Sequence, residues 1–342
     1  MVDAAPLNPL PDGIAKALVG LSLLPSAGPW LGRPLTGGVS SDIWRVETPS
    51  GPICAKRALE KLKVAADWRA PTSRNLYEAR WLRRAAQAAP GAAPVVLGQD
   101  EAAGVLALEW LDPADHPTWK ARLLDGDVAP DFAAAVGDAL GRIHSATAIQ
   151  RAPDIPDAFP TDAIFHDIRL EPYLLATARA WPGFAAMLEA LARRTATTKR
   201  TLVHGDVSPK NILVGPNGPV FIDAECAWAG DPAFDVAFCL NHLLLKRVAR
   251  PDKAALLAES FAALWSAYAA RIDWEPADGL EARTTSLLPA LFLARVDGKS
   301  PAEYVTAARD KARIRQTATA LLLDPPKRVL AVQDRWSKTK LD

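Results

Sequence analysis

Apolar positions along this chain follow two rhythms, and the rhythms are segregated. Residues 10–24 carry apolar side chains three and four apart until Pro25 and Gly28 interrupt them, which predicts a short helix. Residues 30–35, 43–47 and 53–57 then read as strands, separated by Thr36-Gly37-Gly38-Val39-Ser40-Ser41 and by Pro49-Ser50-Gly51-Pro52. A helix is expected over residues 72–89, because Leu76, Ala79, Leu82 and Ala86 share a face. Two further strands, 95–97 and 105–108, flank a polar turn at 99–104, and strand character stops at Pro113.

From Thr118 onward the rhythm is helical. Residues 131–146 place Phe132, Val136, Leu140 and Ile143 at three- and four-residue steps, with His144 as a packing or surface residue. Residues 153–160 read as a proline-rich loop, and 170–194 as a helical segment that Pro182-Gly183 can break. Further helices are expected at 236–248, 253–270, 280–293, 301–323 and 326–336. The pattern predicts an α+β chain with a helical extension (1–25), a small sheet lobe (26–111) and a helical lobe (112–342).

Composition narrows the class. With 342 residues, 49% of them hydrophobic, the chain can bury large cores and suggests two lobes or domains. A net charge of +1 gives no electrostatic reason to expect nucleic acid or an anionic membrane as partner, and nothing points to an obligate protein partner. No apolar run approaches 18 residues, and MVDAAPLNPLPDG lacks a basic region followed by an apolar core, so no secretion signal is read. Cys54, Cys226 and Cys239 have neither metal nor redox spacing and are expected as buried, reduced thiols of a cytoplasmic protein.

The chemistry concentrates in residues 201–235, TLVHGDVSPKNILVGPNGPVFIDAECAWAGDPAFD. Leu202 and Val203 lead into a loop from His204 to Asn211, where Pro209 forbids a regular ladder or helix interior. Two β-type runs, 212–214 and 220–222, flank Pro216-Asn217-Gly218, a hairpin signal. Folding that hairpin carries Asp223 back beside Asn211. Phosphoryl transfer from ATP asks for a hydroxyl held in line, a carboxylate to take its proton, and cations over the phosphates. Asp206 suits the carboxylate, and Asn211 and Asp223 offer the hard oxygens that magnesium prefers. The order Asp, Asn five residues on, then Asp after a hairpin is that of the catalytic and metal loops of protein kinases.

HGDVSPKN followed by IDAE and GDPAFD resembles the aminoglycoside phosphotransferase and choline kinase superfamily, whose relatives include methylthioribose and homoserine kinases. The resemblance implies a two-lobe protein-kinase-like fold, ATP and Mg2+ as cofactors, and a small hydroxylated molecule as acceptor. It implies Asp206 as the catalytic base, Asn211 and Asp223 as metal ligands, and His204 as structural. Asp235 then resembles the buried aspartate that holds the catalytic loop by its backbone N–H groups, while Asp231 ahead of Pro232 reads as a helix cap. Glu225 replaces the glycine of the protein-kinase D-F-G pattern and is open between assisting a metal and orienting substrate. Lys56 resembles the third-strand lysine that grips the α- and β-phosphates, and Glu78, 22 residues later, is its expected partner. Gly37, Gly38, Ser40 and Ser41 match the Gly-Gly-x-Ser turn of the small-molecule kinases, whose backbone N–H groups approach phosphate. Backbone groups from Glu109 to Leu111 are expected to face the adenine. Lys210 is open between a place near the γ-phosphate and solvent.

The acceptor is not fixed by these residues. An aminoglycoside would want additional carboxylates; a choline-type acceptor would want an aromatic cage, for which Trp181, Trp228, Trp265 and Trp274 are the candidates. The polar run Arg295 to Ser300 is open between the acceptor pocket and a solvent-facing loop. Two other functions compete: a nucleotide-binding pseudokinase or scaffold, and a protein kinase. Against the last, no A-P-E follows Asp223, and Asp231 arrives eight residues later, leaving little room for an activation loop.

Overall fold

The computed structural model describes residues 6–35, 41–59 and 71–338. The turn residues Gly37, Gly38 and Ser40 lie outside the described residues. The first part of the chain forms an antiparallel sheet of six strands among the described residues: β1 (Asn8–Pro9), β2 (Leu31–Leu35), β3 (Ser41–Thr48), β4 (Gly51–Ala58), β5 (Val96–Asp100) and β6 (Val105–Glu109), in the order β1-β2-β3-β4-β6-β5. The expected strands are all present, with β5 beginning and ending later than its apolar residues suggest.

Alternation along β4 sorts its side chains onto two faces. Ile53 and Ala55 join Val46, Val105 and Ala107 beneath α1 (Asp12–Gly20), whose Ile14 and Leu18 are fully buried there. Burying those two side chains contributes roughly 1.5–3 kcal/mol each, which explains why the amino-terminal helix stays docked. Cys54 and Lys56 face the other way, toward α2 (Arg74–Ala88). Thus the strand period puts Lys56 on the side where the helical half of the molecule lies.

Helix α2 contacts both halves. Asn75 Nδ2 donates to the carbonyls of Lys56 (3.3 Å) and Gly104 (2.9 Å) in the sheet. On the other side Arg80 donates to the Ala158 carbonyl (2.8 Å), Arg84 pairs with Asp154, and Trp81 meets the His204 ring edge-on at 4.6 Å.

The helical half comprises α3 (Trp119–Asp125), α4 (Pro130–Ala146), the turns α5 (Ile155–Ala158) and α6 (Asp162–Phe165), α7 (Ala176–Ala180), α8 (Ala185–Thr197), α9 (Ala233–Ala249), α10 (Ala254–Ala269), α11 (Ala277–Asp297), α12 (Ala308–Leu323) and α13 (Val329–Lys338). Within it run β7 (Thr201–Val203) paired with β10 (Trp228–Gly230), and the hairpin β8 (Ile212–Gly215)–β9 (Gly218–Phe221). Helix α9 is buried through nearly its whole length, packed against α10 and α11.

Three expectations need correction. The 153–160 loop contains the helical turn α5. The 170–194 segment breaks at Trp181 and the 3-10 turn Pro182–Phe184, as expected, into α7 and α8, but its first part is a π-helical stretch that begins earlier, His166–Leu175. Pro172 has no N–H to give to a helical ladder, and the widened winding accommodates it. Helix α12 starts at Ala308 rather than 301, because Ala302 folds back and donates its N–H to the Arg295 carbonyl (2.8 Å) at the end of α11. Of the cysteines, Cys226 and Cys239 are buried and Cys54 is half-buried, all three free. No helix among the described residues is long and apolar enough to cross a membrane.

Candidate active site

Strand β7 is wholly buried and delivers the chain into the 204–211 loop, which closes with a single 3-10 turn at Pro209–Asn211. The loop hangs on Asp235, in the first turn of α9. Its Oδ2 accepts the His204 N–H (2.7 Å) and its Oδ1 the Gly205 N–H (2.8 Å). His144 Nε2 lies 3.3 Å from Oδ2, and its Nδ1 is 2.9 Å from the Tyr268 hydroxyl. His144 is therefore a positioning residue behind the loop, a role with no local sequence signal.

His204 fixes the next step of the chain. The Asp206 N–H donates to its Nδ1 (3.1 Å), so its Nε2 carries the hydrogen and donates to the Ile222 carbonyl (3.1 Å). Burial holds His204 below its usual pKa despite Asp235, Asp206 and Asp223. A neutral ring in one tautomer ties the loop to the strand leading to Asp223.

Gly205 takes φ +80°, and a Cβ there would sit 2.6 Å from the Cys226 carbonyl oxygen. Gly205→Ala is expected to cost about 2 kcal/mol or more, from the left-handed backbone and the collision together. A denaturation midpoint equal to wild type would show that the loop relaxes without penalty.

Asp206 is buried with its Oδ2 heavily occupied. Arg169 Nη2 (2.9 Å), Lys210 Nζ (3.1 Å) and Asn211 Nδ2 (2.8 Å) all reach that oxygen. Burial alone would raise this carboxyl, but Arg169 and Lys210 outweigh it and hold Asp206 below the usual carboxylate range. Among the described residues Oδ1 accepts no hydrogen bond, and Asp206 borders an open cavity. Arg169, on the π-helical stretch, also donates to the Gly205 and Ile168 carbonyls, and no sequence motif announced it.

The hairpin returns as expected: the Ile222 N–H donates to the Asn211 carbonyl (3.0 Å), and Asp223 follows with φ +66°. A left-handed aspartate is uncommon and aims its side chain away from the strand path. Asp223 pairs with Lys56, whose ammonium also lies 2.8 Å from Glu78 Oε2. Burial would lower Lys56, but Asp223 and Glu78 together hold it well above its usual value. Burial raises Glu78 to about 7 in spite of Lys56.

Glu225 pairs with Arg74 Nε (2.6 Å) at the start of α2. The Asp231 Oδ1 accepts the Ala233 N–H (3.0 Å) ahead of α9, and both its oxygens meet Arg283 Nε at 3.0–3.1 Å. Ser41 is buried at the start of β3, its hydroxyl without a partner among the described residues. Glu109 ends β6 with its own N–H on the Val95 carbonyl (3.0 Å) and its carboxylate on the Val95 N–H (2.8 Å). The Leu111 N–H just beyond takes no partner among the described residues.

The cavity in front of Asp206 has a volume of about 180 Å3 and lies between the loop, the π-helical stretch, α9 and the end of α11. Arg295 and Ser300 reach it, which places both ends of the polar 295–300 run at the cavity, while Lys299 between them pairs with Glu171 at the surface. None of the four candidate tryptophans lines it. Trp228 stacks on Phe165 at 4.1 Å, Trp265 and Trp274 are core, and Trp181 donates to Asp297 (2.9 Å).

Residues 32–280, most of the chain, match the model of the phosphotransferase enzyme family. The chain belongs to this family. Methylthioribose kinase from Yersinia pseudotuberculosis is 27% identical over 226 residues, which cover 59% of this chain and 55% of that protein. The chain thus spans about half the length of the curated relatives it matches. A methylthioribose kinase from a Geobacillus species is 25% identical over 269 residues, covering 71% of this chain and 66% of the relative. Among solved structures, the amicoumacin kinase hAmiN in complex with AMP-PNP, Ca2+ and Ami has a TM-score of 0.56 at 17% identity, covering 94% of this chain and 96% of that one. A choline kinase from Cryptosporidium parvum has a TM-score of 0.55 at 12% identity, covering 91% and 96%. These likenesses establish the fold: an antiparallel sheet lobe followed by a helical lobe, as in protein-kinase-like enzymes.

Proposed function

We propose that this chain transfers the γ-phosphate of ATP, with magnesium, to a hydroxyl of a small molecule. The observation that carries the reading is the state of Asp206. Arg169 and Lys210 pair with its Oδ2, where the Asn211 amide also donates, while Oδ1 accepts no hydrogen bond among the described residues and the residue borders a cavity large enough for a metabolite. Oδ1 would accept the hydroxyl proton as the new bond to phosphorus forms. A carboxylate held ionised suits this role, because proton loss is late in a loose transition state.

The methylthioribose kinases and the nucleotide-analogue complex of hAmiN support the reading by kinship. Lys56 uses two of its three N–H donors on Glu78 and Asp223, leaving one for a phosphate oxygen. The Leu111 N–H is suited to an adenine edge, and Ser41, beside the turn of Gly37, Gly38 and Ser40, to a phosphate. His204, Asp231 and Asp235 hold the scaffold, and Glu225 holds α2 through Arg74.

For the metal, Asn211 Oδ1 and Asp223 Oδ2 take no hydrogen bond among the described residues and are hard oxygens. No group of three or more His, Cys, Asp or Glu converges as a cage among the described residues. Magnesium keeps several waters and uses one or two protein oxygens with substrate phosphates, so this donor set fits it. Bound there, it would neutralise charge developing on the phosphate oxygens.

The test is ADP formation from ATP with separate pools of hydroxylated compounds, with and without magnesium. One pool should raise ADP only with metal present. Asp223→Ala should lose at least about tenfold in magnesium-dependent nucleotide affinity, and unchanged affinity would remove Asp223 from the metal site. Nucleotide binding with no phosphorylated product from any pool would favour a nucleotide-binding protein without transfer.

A further inference from the structure

The cavity in front of Asp206 carries more positive than negative charge. Lys120, Lys210, Lys246 and Arg295 line it against Asp206 and Glu303. Both carboxylates are committed, Asp206 to Arg169 and Lys210, Glu303 to Lys120. That leaves Lys246 on α9 and Arg295 on α11, 1% and 8% exposed. Neither has a carboxylate within 4.0 Å among the described residues.

Their neighbours are neutral. The Lys246 ammonium lies 3.5 Å over the Tyr304 ring. Arg295 donates to the Ser300 hydroxyl (2.9 Å) and carbonyl, and its Nε has no partner among the described residues. His242, one turn before Lys246, is held well below its usual pKa by burial and then by Arg295, Lys246, Lys210 and Lys120, so it brings no charge of its own. The buried Ser208 hydroxyl, also at the cavity, is unpartnered among the described residues. A buried guanidinium and a buried amine without a counter-charge are costly to keep charged, and the missing charge is what a ligand can supply.

We propose that the acceptor is a small hydroxylated anion, a carboxylate or a phosphate monoester, whose negative group sits on Lys246 and Arg295 while its hydroxyl meets Asp206. This rests on the phosphotransferase reading of the same site. The acceptor oxygen bonds to the γ-phosphorus as the bond from that phosphorus to the β,γ-bridging oxygen breaks. ADP leaves with the electron pair, and the hydroxyl proton passes to Asp206 Oδ1. A cavity of about 180 Å3 is somewhat larger than one that holds benzene, so it takes roughly six to ten non-hydrogen atoms. Polycationic amino sugars fit neither its charge nor its volume. The aromatic rings in its wall are Tyr173, Phe238 and Tyr304, with Arg295 over the first and Lys246 over the last, so a choline would meet cations at the rings it needs.

Lys246 also makes the proposal testable through stability. Burial, then Lys120, lower it to about 7, with Glu303 opposing and Arg295 adding to the shift; Tyr304, His242 and Lys210 are the other groups at this face. Between about 7 and its ordinary 10.5 the folded chain binds fewer protons here than the unfolded one, so this group's contribution to stability rises with pH across that window. Lys246→Met should therefore raise Tm near pH 7, with the gain shrinking toward pH 10.

Calorimetric titration of the wild-type protein would use glycerate as the carboxylate, glycerol 3-phosphate as the phosphate monoester, glycerol as the neutral counterpart, and choline and an aminoglycoside as cations. At least one anion should bind about tenfold or more tighter than its neutral counterpart, with MgATP present as well as absent. Whichever anion class binds tighter identifies the group. Lys246→Met should weaken that binding about tenfold without changing MgATP affinity. Equal binding of anions and neutral compounds, anion binding abolished by MgATP, or full anion affinity in Lys246→Met would each overturn the proposal. Phosphate transfer to choline or the aminoglycoside in preference to the anions would overturn it while leaving the kinase reading intact. Anion binding without any MgATP binding would overturn the kinase reading, and with it the acceptor role, while leaving Lys246 and Arg295 as an anion site.

Discussion

Asp206→Asn is expected to lower kcat by about 10²–10⁴-fold while leaving MgATP affinity within about twofold of wild type. The variant keeps the size and planarity of the side chain. The Asn211 amide donates to Oδ2 and the cations of Arg169 and Lys210 face it, and together they will select the rotamer that puts the new carbonyl oxygen there. The NH2 group is then forced to the position of Oδ1, where it donates instead of accepting and cannot take a proton from a hydroxyl. Single-turnover ADP formation measures the first effect and calorimetry with MgATP the second. Turnover within tenfold of wild type would remove Asp206 from the proton transfer.

Asp235→Ala should produce the largest loss of stability, about 3–5 kcal/mol, or a fall in Tm on the order of 10 °C. The carboxylate is fully buried and receives the His204 and Gly205 N–H groups, with His144 alongside. Removing it leaves donors unsatisfied in a place water does not reach, each worth roughly 1–3 kcal/mol. Because those donors are the backbone of the loop that carries Asp206, activity should fall even at temperatures where the variant remains folded. A variant that lost Tm but kept full kcat at low temperature would show that the loop holds its shape without this anchor.

The sheet and most helices were legible because their signals are local. Strand alternation around Lys56, the 72–89 face with Glu78, and the Pro-Asn-Gly hairpin each report structure within a few residues, and the ordered HGD, IDAE and GDPAFD strings brought Asp206, Asn211 and Asp223 together. Arg169 was not legible: a single arginine ahead of Pro172 acquires its place only when the π-helical stretch lies against the 204–211 loop. His144 read as a packing or surface residue because its partners, Asp235 and Tyr268, are 91 and 124 residues away. Lys246 had a usable signal. Beyond Asp235 in its first turn, Asn241, His242, Lys246 and Arg247 are the polar residues of a helix whose other positions are apolar, and buried polar residues on such a helix stand out against the ordinary inside-outside pattern.

Helix α2 has a further consequence. It is fastened to the sheet by Asn75 and Glu78, and to the helical half by Arg74, Arg80, Trp81 and Arg84. Swinging it outward would strip Lys56 of Glu78 and Arg74 of Glu225 in one movement, breaking buried charge pairs that cost several kcal/mol to separate. The pairing of Lys56 with Glu78 therefore depends on α2 staying docked on both halves at once. Under the proposed reading, a change that loosens either set of contacts on α2 should reach the nucleotide through Lys56.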